Sequence, residues 1–487
     1  MIITRLDGKF MIDLLIEGGT VITMDNKRNV INDGCIAIEK GVIIEVGDRN
    51  ETSEKYKAKE TINADKHAIL PGLIDTHGHS GHSMVKTIAE NWPGWGTIIE
   101  EIYLRGVKDE FWYVDATLAS LERLKFGVTT GATFLGGGRG AYRTDDPKFA
   151  ELHAEAVKEV GIRDIIGLGP VGRAPYTPRE FHSFGHDGKT INIVDFDGMM
   201  DTTKKILEKY GDFNELVTAR MTTSSISPNL ESLSKEDRTK VKKQAKEIRW
   251  LADESGRGIL AHGRGEVIES ALELGLLGHD VLLAHCGGLS ERDISIFVET
   301  ETNVSHCPRA RSIMRNRCPV VELLDAGVTV GLGTDGSAPD RTFDIFSDMR
   351  MAQALQRHHF HDSNYMPPGK VLEMATIDSA KALGLGSEIG SIESGKRADI
   401  ILVNMNKPHL TPRFMIPYRL VYEAYGQDVD TVIVDGKIIM RERIVKTIDE
   451  ESVLKQAQRV AEEVVEQNSL EKYLEIPKGF WGCSKYP

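Results

Sequence analysis

Between about residue 68 and residue 335 the chain repeats one pattern, a short apolar run followed by an amphipathic stretch. The runs are AILPGLIDT (68–76), GVTTGATF (127–134), RDIIGLGPV (163–171), LVTARMTT (216–223), GILAHG (258–263), VLLAHC (281–286), NVSHCP (303–308) and VTVGLGTD (328–335). The stretches between them include FAELHAEAVKEVG (149–161), SKEDRTKVKKQAKEIRWLADESG (234–256) and GEVIESALELG (265–275). Strands alternating with helices in this number predict an α/β fold, a (β/α)8 TIM barrel rather than an open sheet. A dinucleotide-binding sheet would need G-x-G-x-x-G after an early strand, and GGGRG (136–140) lacks that spacing.

Both ends of the chain read differently. DLLIEGGTVITMD and CIAIEKGVIIEVGD near the start, and ADIILVNMN and DTVIVDGKIIMRERIV near the end, alternate apolar and polar residues around turn signals. They predict a small β-sandwich domain assembled from both termini, 11–67 with 391–448, around a barrel inserted at 68–390. Residues 1–10 read as an extension or an early start codon, and 449–487 as an exposed acidic helix and tail with a solvated face. The 487 residues carry a formal net charge of −13, which disfavours nucleic-acid and anionic-membrane partners. No apolar run approaches the ~18 residues that cross a bilayer, and the first residues do not form a secretory signal. The five cysteines are widely spaced with no C-x-x-C pair, so a disulfide framework is not expected and a reducing cytoplasm is. A homo-oligomer is left open.

The polar residues that could carry chemistry stand at the carboxyl ends of these strands, the face where barrels place their active sites. ILPGLIDTHGH ends in His77 and His79, whose i, i+2 spacing lets a strand aim two imidazoles at one point. His262, His285 and Asp335 end the fifth, sixth and eighth strands. Each alone has a plain structural reading: a chance H-x-H, a core histidine, or a turn or cap aspartate. Converging, they suit one divalent ion, with zinc first and Fe2+, Co2+ or Mn2+ as alternatives.

PGLIDTHGH resembles the strand-one signature of the amidohydrolase superfamily. LLAHCGGLSERDI, NVSHCPRARS and PVVELLDAGVTVGLGTDGSAPDRTFDIFSDMRMA are similar to its triazine-hydrolase and cytosine-deaminase branch, and GHSGH and GTDGSAPDRTFD to the molinate and phenylurea hydrolases. The resemblance runs from about residue 11 to about 450. It implies that His77, His79, His262 and Asp335 hold the metal. Asp335 would then act as the base that passes a water proton to the leaving group, and His285 would stabilise the charge that develops on substrate.

Two departures bear on substrate class. The deaminases of this branch place a Glu three residues after the strand-five histidine, to serve a ring nitrogen. Here the run is His262-Gly263-Arg264-Gly265-Glu266, so Glu266 comes one residue late. It could reach inward if the loop bulges, or sit at the start of the next helix. The strand-seven loop reads His306-Cys307-Pro308-Arg309 rather than the branch's H-N-P, leaving His306 and Arg309 as candidate substrate contacts. His82 is expected to line the loop rather than bind metal, and Cys286 to face away into packing. Trp92 and Trp95 are read equally as a platform for a flat substrate or as loop packing. The fourth strand offers Arg220 and no lysine to bridge a second metal, so one ion is expected.

The leading expectation is a metal-dependent hydrolase that cleaves a non-peptide C–N bond (amide, urea or carbamate) in a small cyclic or aryl substrate. Ring deamination of an amino-heterocycle and hydrolytic dehalogenation are the enzyme alternatives. A scaffold that retains the barrel is the non-enzyme one.

Overall fold

The structure, a computed structural model, describes residues 5–6, 9–90, 92–138, 140–185, 188–212, 214–313 and 316–485. Its centre is an eight-stranded sheet whose paired neighbours all run parallel. The strands β1 (Leu73–His79), β2 (Val128–Phe134), β3 (Arg163–Leu168), β4 (Val217–Thr223), β5 (Ile259–Arg264), β6 (Val281–Gly287), β7 (Asn303–His306) and β8 (Val330–Leu332) follow in chain order. Most are buried along their whole length, as strands covered on both faces must be. The seam between β8 and β1 carries no ladder among the described residues. It closes through the Asp335 N–H, which donates to the His77 carbonyl at 2.8 Å, and the Thr76 hydroxyl, which donates to the Leu332 carbonyl at 2.8 Å. Residues of the future site therefore form the seam itself.

Helices between the strands start where the sequence supplies side-chain acceptors for the unpaired N–H groups of a first turn. Ser234 caps Lys235–Ser255 by accepting from the Asp237 N–H, and Ser290 with Asp293 forms a capping box at Glu291–Thr300. The loop after β1 carries the helix Trp95–Arg105, and the loop after β3 carries the hairpin Arg179–Gly185 with Gly188–Val194, which packs against that helix.

Strands from the two ends of the chain form the expected sandwich. A five-stranded sheet holds Arg5–Leu6, Lys9–Glu17, Gly34–Glu39, Val42–Asp48 and Tyr56–Asn63. A seven-stranded sheet joins Thr20–Ile22, Val30–Asn32 and His67–Pro71 to Ile400–Asn404, Val429–Val434, Lys437–Arg441 and Ile444–Val445. Leu14, Ile16, Ile36 and Ile38 meet Ile69, Ile400, Leu402 and Ile433 between them.

Three readings change. AILPGLIDT is two strands: His67–Pro71 pairs with Ile400–Asn404 in the terminal sheet, and β1 starts at Leu73. Both halves are buried, so the apolar run gives no sign of the break. The first long strand starts at Lys9 rather than Met11, and Arg5–Leu6 pairs with it. Finally, the tail helix Glu450–Gln467 is not merely solvated, because Ala457, Val460 and Val464 are buried where it packs on Glu110–Lys125. No helix among the described residues is long and apolar enough to cross a membrane.

Candidate active site

His77 and His79 close β1, His262 lies in β5, His285 in β6, and Asp335 just past β8. The barrel brings them together. His77, His79 and Asp335 offer ligand atoms within 4.8 Å of one another, and so do His77, His262 and His285. Asp335 Oδ1 lies 3.6 Å from His77 Nε2 and 3.3 Å from His79 Nε2, and its Oδ2 lies 3.8 Å from His285 Nε2. His285 and Asp335 both adopt left-handed backbone, φ +73° and +64°. Such conformations cost about 1–3 kcal/mol each in non-glycine residues and gather at functional sites.

Carbonyl groups behind the rings set their direction. His79 Nδ1 donates to the Gly136 carbonyl and His262 Nδ1 to the Ser224 carbonyl, each at 2.8 Å. A carbonyl only accepts, so the proton sits on Nδ1 and the Nε2 lone pair faces the centre. His77 Nε2 is buried without a hydrogen-bond partner. An orphaned buried nitrogen is costly, and a cation at the centre of these donors would relieve it. The charges also fit. Burial lowers the pKa of His77, and burial with the neighbouring imidazoles lowers that of His262 further, which keeps both neutral. Burial opposes ionisation of Asp335, but His77, His79 and Arg341 beside it hold its carboxyl well below the usual carboxylate range. Neutral imidazoles and an ionised carboxylate are the states in which these residues bind metal. Beneath them Asp75 accepts from the Thr334 N–H and hydroxyl, each at 2.9 Å, and from Arg123 Nη2 at 2.9 Å, which ties β1 to the end of β8.

The cluster opens into a cleft of about 440 Å³, a size suited to a small molecule. Its lining includes His79, His262, His285 and Asp335, and also His82, Trp95, Arg173 and Arg341. Glu266 lines the cleft too, on the first turn of the helix Gly265–Glu273, where a carboxylate suits the helix dipole. Its side chain is 74% exposed, 3.6 Å from Arg264. The β5–β6 register does shift at Gly263 and Arg264, yet this does not turn Glu266 inward. A side chain at Gly265 is sterically barred, since a Cβ there would lie 2.2 Å from the Gly288 carbonyl oxygen.

Other expected contacts fall elsewhere. Arg309 is not at the cleft among the described residues. Its guanidinium bonds Asp348 at 2.7 Å and Thr342 at 3.0 Å, which anchors a loop to the helix Ile345–Phe360. His306, which ends β7, is buried and does not line the cleft. Cys286 is packed against β5, as expected from its place on the strand. The two tryptophans divide the two readings: Trp95 lines the cleft, while Trp92 packs on Tyr473 at 4.9 Å. Arg341, in the strand-eight loop, is a site residue the sequence reading passed over. It lies 3.5 Å from Asp335 Oδ2 and is held by the Gly336 and Ala338 carbonyls. Its place six residues after Asp335 was the only signal.

The family model described as Amidohydrolase family matches residues 68–439. A 5'-deoxyadenosine deaminase of Methanosarcina acetivorans is 33% identical over 93% of this chain and 99% of its own length. A 5-methylthioadenosine/S-adenosylhomocysteine deaminase of Desulforudis audaxviator is 34% identical over 89% of this chain and 95% of its own. Among solved structures, a zinc-bound adenosine deaminase from Xanthomonas campestris aligns with a TM-score of 0.79 at 23% identity, covering 93% of this chain and 99% of that one. An atrazine chlorohydrolase from Arthrobacter aurescens, complexed with zinc and atraton, aligns with a TM-score of 0.76 at 20% identity, over 92% and 100%. These two share the fold. With a family model matched along the barrel and relatives matched end to end, this chain belongs to the amidohydrolase family and is a hydrolase of carbon–nitrogen bonds.

Proposed function

We propose that this enzyme holds one divalent ion, zinc first, through His77, His79, His262 and Asp335, and cleaves the C–N bond of a urea, carbamate or amide in a small flat substrate. Such an ion lowers the pKa of a bound water toward ~7. Asp335, kept ionised, accepts the proton of the attacking water and delivers it to the departing nitrogen. His285, at the other carboxylate oxygen, donates to the oxygen on which charge develops. Five cysteine thiols, Cys483 exposed and the others buried, support a cytoplasmic setting.

The observation that carries this choice is Gly265. Ring deamination needs a proton donor at the ring nitrogen, and the place that would supply it has neither a side chain nor room for one. An acyclic C–N bond needs no such group, because Asp335 alone can protonate the leaving amine. A second reading, deamination of a 5'-substituted adenosine, is favoured by the names of the full-length relatives and by Glu266 at the cleft.

The test is a panel of aryl ureas, thiocarbamates and anilides beside 5'-deoxyadenosine and 5'-methylthioadenosine, with zinc-loaded protein. Amine release from the first group at rates well above the nucleosides is expected. Ammonia release from the nucleosides alone would install the second reading.

A further inference from the structure

His82 follows the H-x-H pair by three residues, yet no step above uses it. It is 3% exposed, on the short turn His82–Met84. The turn is fixed from behind, because the N–H groups of Gly81, Ser83 and Met84 all donate to the buried Asp115 carboxylate. The ring is fixed as well. Tyr103 Oη lies 2.8 Å from Nδ1, and this is the only hydrogen bond of that hydroxyl among the described residues. A phenol with one available acceptor donates to it, which leaves the imidazole proton on Nε2.

Two glycines shape the slot around that nitrogen. A Cβ on Gly137 would lie 2.1 Å from His82 Cε1, and one on Gly336 would lie 2.2 Å from Cδ2. These carbons flank Nε2, so both loops pack their backbone against this edge of the ring at a distance only glycine allows. His82 also ends a stack of near-parallel imidazoles. It lies 5.1 Å from His79, His79 lies 5.4 Å from His262, and His262 lies 5.1 Å from His285, with interplanar angles of 22°, 8° and 18°. His285 is thus at one end of the stack and His82 at the other. Trp95 closes the slot edge-on at 5.7 Å. Among the described residues Tyr103 is the ring's side-chain hydrogen-bond partner, the Ser80 backbone lies beside it, and the ring lines the cleft.

We propose that His82 contacts substrate, its Nε2–H donating to a carbonyl oxygen at the end of the site away from His285. This rests on the function proposed above, and it adds a fixed donor to that of His285. A flat substrate gripped at both ends of the imidazole stack would have its scissile carbon held over the middle. The role is that of a donor, not a ligand, since His82 belongs to neither group of converging ligand atoms.

The experiment compares zinc-loaded wild type, His82→Phe and His82→Gln by calorimetric titration with phenylurea and with 5'-deoxyadenosine. Phe keeps a flat ring in the slot and loses the donor. Gln places an amide N–H near the position of Nε2. His82→Phe should weaken the tighter probe about tenfold, and His82→Gln should restore it to within about threefold of wild type, as for one net hydrogen bond. Zinc content and the visible spectrum of the cobalt-substituted forms should stay unchanged. Equal affinity in all three proteins, or equal loss in both variants, overturns the proposal. So does an altered cobalt spectrum in His82→Phe, which would make His82 a ligand or a prop for the ligands. Failure of the wild type to bind either probe overturns it along with the proposed function. Binding without turnover sinks that function alone and leaves the His82 comparison decisive.

Discussion

A side chain at position 265 would meet the Gly288 carbonyl, while the carboxyl of Glu266 stands in solvent beside Arg264. The two facts together make the third place after His262 chemically silent. Glu266→Gln should therefore cost less than about tenfold in kcat/KM, well short of the ~10²–10⁴ typical of a general acid–base group. A loss in that larger range with metal content intact would bring the carboxyl back into the mechanism. Asp335 is the opposite case, since it is ionised, buried and within 4 Å of three histidines. Asp335→Ala should lower turnover at least ~10³-fold while circular dichroism stays native, because a general base is lost and the barrel core is not. Retained turnover in that variant would refute the proposed proton path.

At the scale of the element, the proposal of one ion rests on β4: VTARMTT holds no lysine to bridge a second metal, and no lysine lines the cleft among the described residues. Arg220, the cation on that strand, donates to the Leu383 carbonyl at 2.7 Å and is absent from the cleft lining, so the proposal rests on the missing lysine and not on this charge. Elemental analysis of active protein should give about one tightly held divalent ion per chain. Two ions per chain, both required for turnover, would defeat the mononuclear assignment.

For the whole molecule the joint between barrel and sandwich matters most. Arg163 at the start of β3 bonds Asp399 at 2.6 Å and Asp435 at 3.0 Å, both on the segment that returns into the terminal sheets. Burial pushes the Asp435 carboxyl up, but Arg397 and Arg163 beside it outweigh burial and hold it below its ordinary value. A lowered carboxylate pKa stabilises the folded state fully above the ordinary value, and that stabilisation is lost as pH falls through the lowered one. In urea melts the wild type should thus exceed Asp435→Asn in stability at neutral pH. The difference should shrink as pH falls below about 4, where the unfolded carboxyl also takes up its proton. A gap that stays constant down to pH 2 would mean the joint gains nothing from this charge.

The barrel and the converging donors were legible in the sequence because both are local properties of strands. A run that is apolar along its length is a strand buried on both faces, and the residue that ends it faces the carboxyl rim whatever its neighbours are. His77, His79, His262, His285 and Asp335 needed no more than that. The break at Gly72 was hidden because a strand that leaves one buried sheet for another stays apolar throughout. The choice of partners in the loops could not be read either. Arg309 could face substrate or Asp348, 39 residues on, and only the packed fold brings that carboxylate to it. His82 acquires a direction only when Tyr103, Asp115 and the glycines of two other loops close around it. Strand patterning is written in a few consecutive residues, whereas a loop side chain takes its orientation from groups far away in the chain. For that reason the sequence by itself determined the barrel and the donors gathered at its carboxyl face, and the tertiary structure decided which of the remaining polar residues line the cleft.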